Sequence, residues 1–140
     1  MTFIKSLFFL SILFFSFSCS AQEEKKDEID ITYQACLAKD SSTANISACA
    51  FVAYGKWNKE MDNIYKKLLK SLKKDKDRAA LKQSQAAWVI YRDAEFKSYD
   101  NMFNLPGSKY CLIRQDGRIN IVRARTMQLR EYAEDLKKHK

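Results

Sequence analysis

Few side chains in this sequence have the types and spacing that catalysis requires. The only histidine is His139, next to the end of the chain, so we expect no imidazole inside the fold to act as a general base. Carboxylates such as Glu60 and Asp62, or Asp93 and Glu95, are two positions apart, and such pairs point to different faces of a helix. Neither a glycine-rich phosphate loop nor a plausible Ser, His and Asp set is present. We therefore expect a protein that is not an enzyme and uses no cofactor.

One segment combines amide, aromatic and charged side chains at helical spacing. It is the run from Gln85 to Ala94, QAAWVIYRDA, in which Gln85, Trp88 and Arg92 recur at intervals of three and four. This spacing predicts that the three side chains share one face of a helix. In one interpretation, Trp88 and Tyr91 are core aromatics, and Gln85 and Arg92 form interhelical hydrogen bonds. In the other, the segment carries a function of its own.

The amino terminus has the three-part plan of an export signal. Lys5 precedes the apolar run from Leu7 to Phe17, and small residues follow that run. The run has eleven residues, whereas a membrane-spanning helix needs about 20. We therefore assign residues 1–21 to a signal segment and not to a lasting membrane anchor.

Two processing sites are compatible with the residues after the apolar run. Cys19-Ser20-Ala21 suits an ordinary signal peptidase that cuts before Gln22, whereas Ser18-Cys19 resembles a bacterial lipoprotein site at which Cys19 would be acylated. Residues 22–30 are highly charged and are predicted to form a flexible linker. The protein is thus expected to be exported, whether periplasmic, secreted or lipid-anchored, with membrane contact only through a lipid on Cys19.

Three cysteines follow the signal segment, Cys36, Cys49 and Cys111, and an exported protein meets an oxidising compartment. We expect a disulfide between Cys36 and Cys49, because closing a loop of that size stabilises a fold by about 3 kcal/mol in the chain-entropy model. Cys111 is then unpaired, and is either buried or reactive. A zinc site is not expected, because the cysteine spacing is unsuitable and histidine is nearly absent.

The charge of the chain is strongly positive. Removing residues 1–21 deletes only Lys5, so the formal net charge falls from +8 to +7. A basic surface favours anionic polymers, acidic proteins or nucleic acid, although lysines also simply solvate helix faces. An exported protein does not meet the nucleic acids inside the cell, so we expect no nucleic-acid partner. The mature chain has the length of one domain, which we assign to residues 31–140.

The sequence predicts an all-α fold, since three glycines and one proline leave few turns for β-hairpins. A short helix is predicted over Ile31 to Ala38. Long amphipathic helices are predicted over Ser47 to Lys73, over Arg78 to Phe103, and from Ile119 to the end of the chain. Together they predict an antiparallel bundle-like array of three long helices with a short helix pinned to it by the disulfide.

Two further details of this assignment concern the third helix and the segment after it. The segment from Lys109 to Gly117 lacks a clear period and is predicted to be a loop. Asp75 or Asp77 is predicted to cap the helix that follows them. The apolar stripe of that helix is predicted to consist of Leu81, Ser84, Ala87, Trp88, Tyr91, Ala94, Glu95 and Tyr99.

The chain resembles the LprI lysozyme inhibitor family, whose small exported proteins carry an early cysteine pair, Leu-Asn-x-x-Tyr, and Gln-x-x-Trp-x-x-Tyr/Phe-Arg-Asp. The resemblance covers about Cys36 to Leu129. Its central motif is fairly specific. The residues at the motif positions are Cys36, Cys49, Asp62, Tyr65, Gln85, Trp88, Tyr91, Arg92, Asp93, Arg125 and Leu129.

The chain also departs from the family pattern. A second cysteine pair of the family is replaced by Phe96 and Gly117, and the family asparagine of Leu-Asn-x-x-Tyr by Asp62. This last change suggests a salt link from Asp62 to Arg92 or Arg125.

Two functions follow from these observations. The resemblance implies a protein partner, a lysozyme or a related cell-wall lytic enzyme, that is inhibited by occlusion without catalysis. The charge argues against strongly basic animal lysozymes as targets, because a partner at +7 would be repelled by them. The alternative is an envelope-associated module that binds an anionic polymer or an acidic protein through its lysines and inhibits no enzyme.

Overall fold

The computed structural model describes residues 26–138, which fold into helices joined by short connections. The helices are α1 (Glu28–Leu37), α2 (Thr43–Ser71), α3 (Asp75–Met102) and α4 (Ser108–Lys138). The predicted all-α fold is confirmed. Cys19 and the rest of the expected signal segment lie outside the described residues, as does His139. Between residues 26 and 138, none of the helices combines the length and the hydrophobicity needed to span a bilayer.

The centre of the fold is the pair formed by α2 and α4, which run parallel to each other. Cys111 at the start of α4 lies 3.4 Å from the hydroxyl of Ser47, and Arg130 near its end lies 3.1 Å from Glu60. The core between the two helices contains Trp57, Met61, Ile64, Leu68, Val122, Thr126 and Leu129. These residues recur every three or four positions along each helix, so α2 and α4 together bury one continuous apolar stripe.

Helix α1 covers one side of this pair and runs antiparallel to α4. A disulfide joins its last turn to α2, with the sulfur atoms of Cys36 and Cys49 2.01 Å apart. The predicted pairing is therefore present in the structure. Helix α1 begins at Glu28 and not at Ile31, because Asp27 caps it by accepting a hydrogen bond from the backbone N–H of Ile29 at 3.0 Å. Residues 28–30, expected in the flexible linker, are helical.

Three polar contacts align α1 along α4. Arg130 donates to Asp27 at 2.6 Å, and Arg123 donates to Asp30 at 2.7 Å. The hydroxyl of Tyr33 donates to Asp116 at 2.8 Å, and burial together with this bond raises the pKa of Tyr33. The contacts lie at successive turns of α1, so they fix its register against α4.

The contact between Asp27 and Arg130 makes the docking of α1 sensitive to acid. Partial burial alone would raise the pKa of Asp27, but the hydrogen bonds from Arg130 and from the backbone of Ile29, with the nearby positive charges, lower it below the ordinary value of 3.8. A carboxyl with a lowered folded pKa stabilises the fold above its ordinary pKa. That stabilisation is lost as the pH falls through the folded value.

We expect Asp27→Asn to lower the unfolding free energy by about 1 kcal/mol at neutral pH, since asparagine keeps the cap but loses the charge. The difference from the wild type should shrink as the pH falls below the ordinary aspartate range. Urea unfolding of both proteins over a pH series measures this. A difference that stays constant down to strongly acidic pH would contradict the assigned role of the Asp27 charge.

Helix α3 is antiparallel to α4 and follows a three-residue turn after α2. Arg118 of α4 bonds Asp100 at 2.5 Å, and Arg125 bonds Gln85 at 3.0 Å, so the start of α3 lies near the end of α4. The prediction that Asp75 or Asp77 caps this helix is wrong. Both lie inside its first turn, where their charge suits the positive end of the helix dipole, and the cap position is Lys74.

The predicted loop from Lys109 to Gly117 is also wrong, because these residues form the first turns of α4. The loop ends at Gly107, whose positive φ of 110° reverses the chain, and the backbone N–H of Cys111 already bonds the carbonyl of Gly107 at 3.3 Å. The buried positions in this part of α4 are Cys111 and Gly117. Both are small, so the apolar period that marks an amphipathic helix is weak there.

Gly117 lets α3 and α4 approach closely. A Cβ atom at this position would lie 2.3 Å from the ring of Tyr99 on α3. Nearby, the guanidinium of Arg118 lies 5.5 Å from the ring centre of Phe96. Phe96 and Gly117 thus lie on facing helices and are surrounded by packed side chains, in the two places where the family pattern has cysteines.

Candidate functional site

The central part of the motif segment turns toward the other helices. Trp88 is half-buried, and Arg92 lies with its guanidinium 5.4 Å from the centre of the Trp88 ring. Arg92 also bonds the neighbouring Asp93 at 2.6 Å, and the side chains of Asp93 and Tyr91 are exposed. Gln85, Trp88 and Arg92 therefore share the inner side of α3, whereas Tyr91 and Asp93 do not.

Gln85 leads to an arginine in the interior of the bundle. Arg125 of α4 is 5% exposed, and its Nε donates to the side-chain oxygen of Gln85 at 3.0 Å. Its two terminal nitrogens donate to Gln128 at 2.5 Å and to Ser84 at 3.2 Å. Gln85 in turn places its amide nitrogen 3.8 Å from the sulfur of Met61 on α2. Arg125 and Gln85 together therefore connect the three long helices.

All the acceptors around Arg125 are neutral. Within residues 26–138, its guanidinium forms no ion pair, although Arg123 and Arg130 on the same helix both have aspartate partners. Burial lowers the pKa of Arg125, and only the more distant Tyr132 and Tyr65 act in the opposite direction. A charge removed from water without a countercharge is costly unless its hydrogen bonds are good. Arg125 is therefore the least compensated charge that the structure describes in its interior.

The suggested salt link of Asp62 is wrong. Asp62 is exposed on α2 and pairs with neither Arg92 nor Arg125, whose partners are Asp93 and the neutral group just described. Asp62 follows Met61, which points into the core, so its own side chain leaves the helix toward water. The negative charge of Asp62 therefore costs little in desolvation and needs no partner.

The other motif residues contribute to the core or to its edge. Tyr65 is partly buried and packs against the core, and Leu129 is fully buried. Cys111 is buried with a free thiol. In the described range, no cluster of three or more His, Cys, Asp or Glu side chains could hold a metal ion.

A groove opens between α3 and α4 beside Arg125. It has a volume of about 440 Å³ and is lined by Trp88, Tyr91, Tyr99, Gly117, Asn120, Ile121, Ala124, Arg125 and Gln128. We call it the α3–α4 groove. It joins exposed motif residues to the buried arginine, which sequence reasoning did not foresee.

The solvent side of α3 differs from the predicted stripe. Ala87, Tyr91 and Ala94 were expected to face the core but are exposed, whereas Trp88 and Phe96 pack against it. Among the exposed positions, one line consists of uncharged residues, which we call the outer face of α3: Ala79, Gln83, Ala86, Ala87, Ile90 and Ala94. The exposed charged residues Lys82, Asp93 and Lys97 lie beside this line and at its end. Ile90 is 73% exposed and is the largest apolar residue of this face.

A second surface collects positive charge at one end of the bundle. Here α2 and α4 end and α3 begins, since α3 runs antiparallel to the other two. We call this surface the lysine-rich end. It contains the exposed residues Lys66, Lys67, Lys70, Lys73, Lys74, Lys76, Lys137 and Lys138. The acidic residues among them, such as Asp75 and Asp135, are fewer.

Comparison with known proteins finds one family. The family model described as lysozyme inhibitor LprI matches residues 34–129. The match begins in α1 and ends in α4, so it spans all the described helices. Searches of curated proteins and of solved structures found no match to the chain.

Proposed function

Because the chain belongs to the LprI lysozyme inhibitor family, we propose that it binds a lysozyme or a related cell-wall lytic enzyme and blocks its cleft without catalysis. The structural observation that carries this proposal is the outer face of α3. It is an exposed line of uncharged residues on a chain in which 30% of the residues are charged. We therefore expect a protein partner, because exposed apolar patches mark sites at which another protein binds.

The outer face of α3 has the composition of the centre of a protein interface. Such centres are depleted of charge, and a few large side chains supply most of the binding free energy. Ile90 lies among the alanines of this face, and Tyr91 lies beside it at the border of the α3–α4 groove. A helix face made mostly of small residues can approach a concave surface such as a substrate cleft.

The positive charge of the chain limits which lytic enzymes it can bind. Glycoside hydrolases generally place two carboxyl groups at the scissile bond, so a basic inhibitor is attracted by the cleft itself. Net repulsion by a strongly basic enzyme would slow association. We therefore expect the target to be a lytic enzyme whose surface around the cleft is neutral or acidic.

We expect Ile90→Glu to weaken inhibition by about tenfold or more, since a charge would be buried at the centre of the interface. The assay is lysis of cell-wall substrate by a panel of acidic, neutral and basic lysozymes, with the mature protein added at micromolar concentration. Phe51→Glu is the matched control. Phe51 is 80% exposed on α2 and does not belong to the outer face of α3, so this variant should inhibit like the wild type.

Each assay has an outcome that contradicts the proposal. Failure of the wild type to inhibit any enzyme of the panel would reject the inhibitor function. Inhibition that Ile90→Glu and Phe51→Glu leave equally intact would reject the outer face of α3 as the contact surface. Far-ultraviolet circular dichroism of both variants should match the wild type, because both positions are exposed.

The lysine-rich end favours a second candidate, an envelope module that binds an anionic polymer or an acidic protein. Closely spaced lysines raise the local positive potential and attract polyanions, and salt weakens this attraction. The same wild-type protein should then sediment with anionic cell-wall material at low salt and be released as salt increases. No sedimentation at low salt would exclude this candidate without affecting the inhibition assay.

A further inference from the structure

Arg125 combines burial with unused donors. A guanidinium has five N–H groups, and Arg125 uses one each toward Gln85, Gln128 and Ser84. Two N–H groups are therefore left without an acceptor among the described residues. Since Arg125 also lines the α3–α4 groove, a ligand in the groove can reach a charge that the protein does not itself neutralise.

The groove is open to solvent, and its lining is that of a small-molecule site. Its volume of about 440 Å³ falls within the range of about 300–1,000 Å³ that is usual for ligand pockets. The rings of Trp88, Tyr91 and Tyr99 form much of its wall, and the amides of Asn120 and Gln128 supply polar groups. An aromatic wall with a few converging polar groups is typical of sites that bind small organic molecules.

We propose that the α3–α4 groove binds a small organic carboxylate, whose charged end contacts Arg125 and whose body lies against the aromatic rings. Arginine pairs well with carboxylate because its planar guanidinium matches the two oxygens. Arg125 is the only cation among the residues that line the groove. One positive charge balances a monoanion, whereas a phosphate dianion would remain half compensated. This site is independent of the proposed inhibition, which uses the outer face of α3.

Titration followed by ¹⁵N nuclear magnetic resonance tests the proposal. The chain has two tryptophans: Trp88 lines the groove, and Trp57 is fully buried in the core, so its indole signal serves as an internal control. Benzoate and glucuronate are the carboxylate probes, and benzamide and glucose are their neutral counterparts. Inorganic phosphate tests the dianion.

We expect benzoate or glucuronate to shift the signals of the Trp88 indole and of Arg125 Nε, with Trp57 unchanged. The neutral counterparts and phosphate should bind at least about tenfold more weakly, since hydrogen bonds to a charged group contribute about 1.5–3 kcal/mol. The more effective carboxylate identifies the ligand body as aromatic or sugar-like. No shift of Trp88 with either carboxylate, or equal binding of the neutral compounds, would overturn the proposal.

Gln128→Glu provides a variant that keeps the fold. The new carboxylate would replace the amide oxygen that lies 2.5 Å from Arg125 and would neutralise the arginine from within. We expect carboxylate affinity to fall by about tenfold or more, while the unfolding temperature stays equal or rises. Gln34→Glu adds the same charge at an exposed position of α1, outside both the groove and the outer face of α3, and should leave affinity within about twofold. Undiminished binding by Gln128→Glu would show that Arg125 is not the anchor.

Discussion

Replacing Trp57 by alanine should lower the unfolding free energy by about 3–5 kcal/mol, the range observed for large aromatic residues in protein cores. Trp57 is fully buried between α2 and α4. Its indole N–H also donates to Asp30 at 3.2 Å, and Arg123 and Arg130 lie 5.7 and 5.5 Å from its ring centre. The same two arginines hold α1 through Asp30 and Asp27.

Because Trp57 supports both arginines, its loss should loosen α1 as well as open a cavity. Urea unfolding followed by circular dichroism measures the total effect, and hydrogen exchange of α1 amides measures the local one. Trp88→Ala is the matched control, since Trp88 is only half-buried and lines an open groove. Its loss should cost clearly less. Equal costs for the two variants would contradict the central position of Trp57.

The buried face of α2, which carries Trp57, could be predicted from the sequence, whereas that of α3, which carries Trp88, was predicted less accurately. Along α2, buried residues recur every three or four positions from Cys49 to Leu68, because α2 packs against α1 on one side and α4 on the other. A broad buried face produces a strong period. The predicted helix therefore covers most of α2, although its first turn, from Thr43, was missed and its predicted end at Lys73 lies two residues beyond Ser71.

Helix α3 was predicted less accurately because it contacts the bundle along a narrow line. Leu81 is the only buried residue of α3. Its alanines and Ile90 are hydrophobic but exposed, so hydropathy alone could not distinguish its inner side from its outer face. Interval counting placed Ala87 and Tyr91 on the core side for the same reason. An apolar surface that is covered by a partner has the same sequence pattern as a buried core.

The site at Arg125 could not be predicted from periodicity. A buried arginine is uncommon, and the sequence contains many arginines with acidic residues nearby. The assignment of Gln85 to interhelical hydrogen bonding was correct, but its partner lies 40 positions along the chain and was identified only from the fold. The suggested link to Asp62 failed because it was inferred from the replacement of the family asparagine by an aspartate, whereas the fold surrounds Arg125 with neutral groups.

Removing the disulfide should produce the second large effect on stability. The double variant Cys36→Ala/Cys49→Ala should lose about 3 kcal/mol, the value that the chain-entropy model gives for a short loop. The two cysteines are separated by 13 positions. For a domain of this size, the loss corresponds to a fall in Tm of about 10–20 °C. Thermal unfolding of the oxidised wild type and of the double variant measures it.

Reduction of the wild type should reproduce the double variant, and a reductant should not change the double variant itself. Cys111→Ala is the matched control, because Cys111 is buried but has a free thiol. The stability difference between Cys111→Ala and the wild type should be that of a lost sulfur contact, and it should be the same with and without reductant. Because this variant keeps the Cys36–Cys49 bond, reductant should lower its Tm by as much as it lowers the Tm of the wild type.

The folded form of the double variant should remain helical, because α1 keeps its bonds from Arg123 and Arg130 and from Tyr33 to Asp116. These contacts act in the folded state, whereas the disulfide acts mainly by restricting the unfolded chain. The double variant should therefore lose stability without losing the position of α1. Rapid exchange of α1 amides under conditions in which α2 and α4 remain protected would contradict this, and would mean that the disulfide itself holds α1 on the bundle.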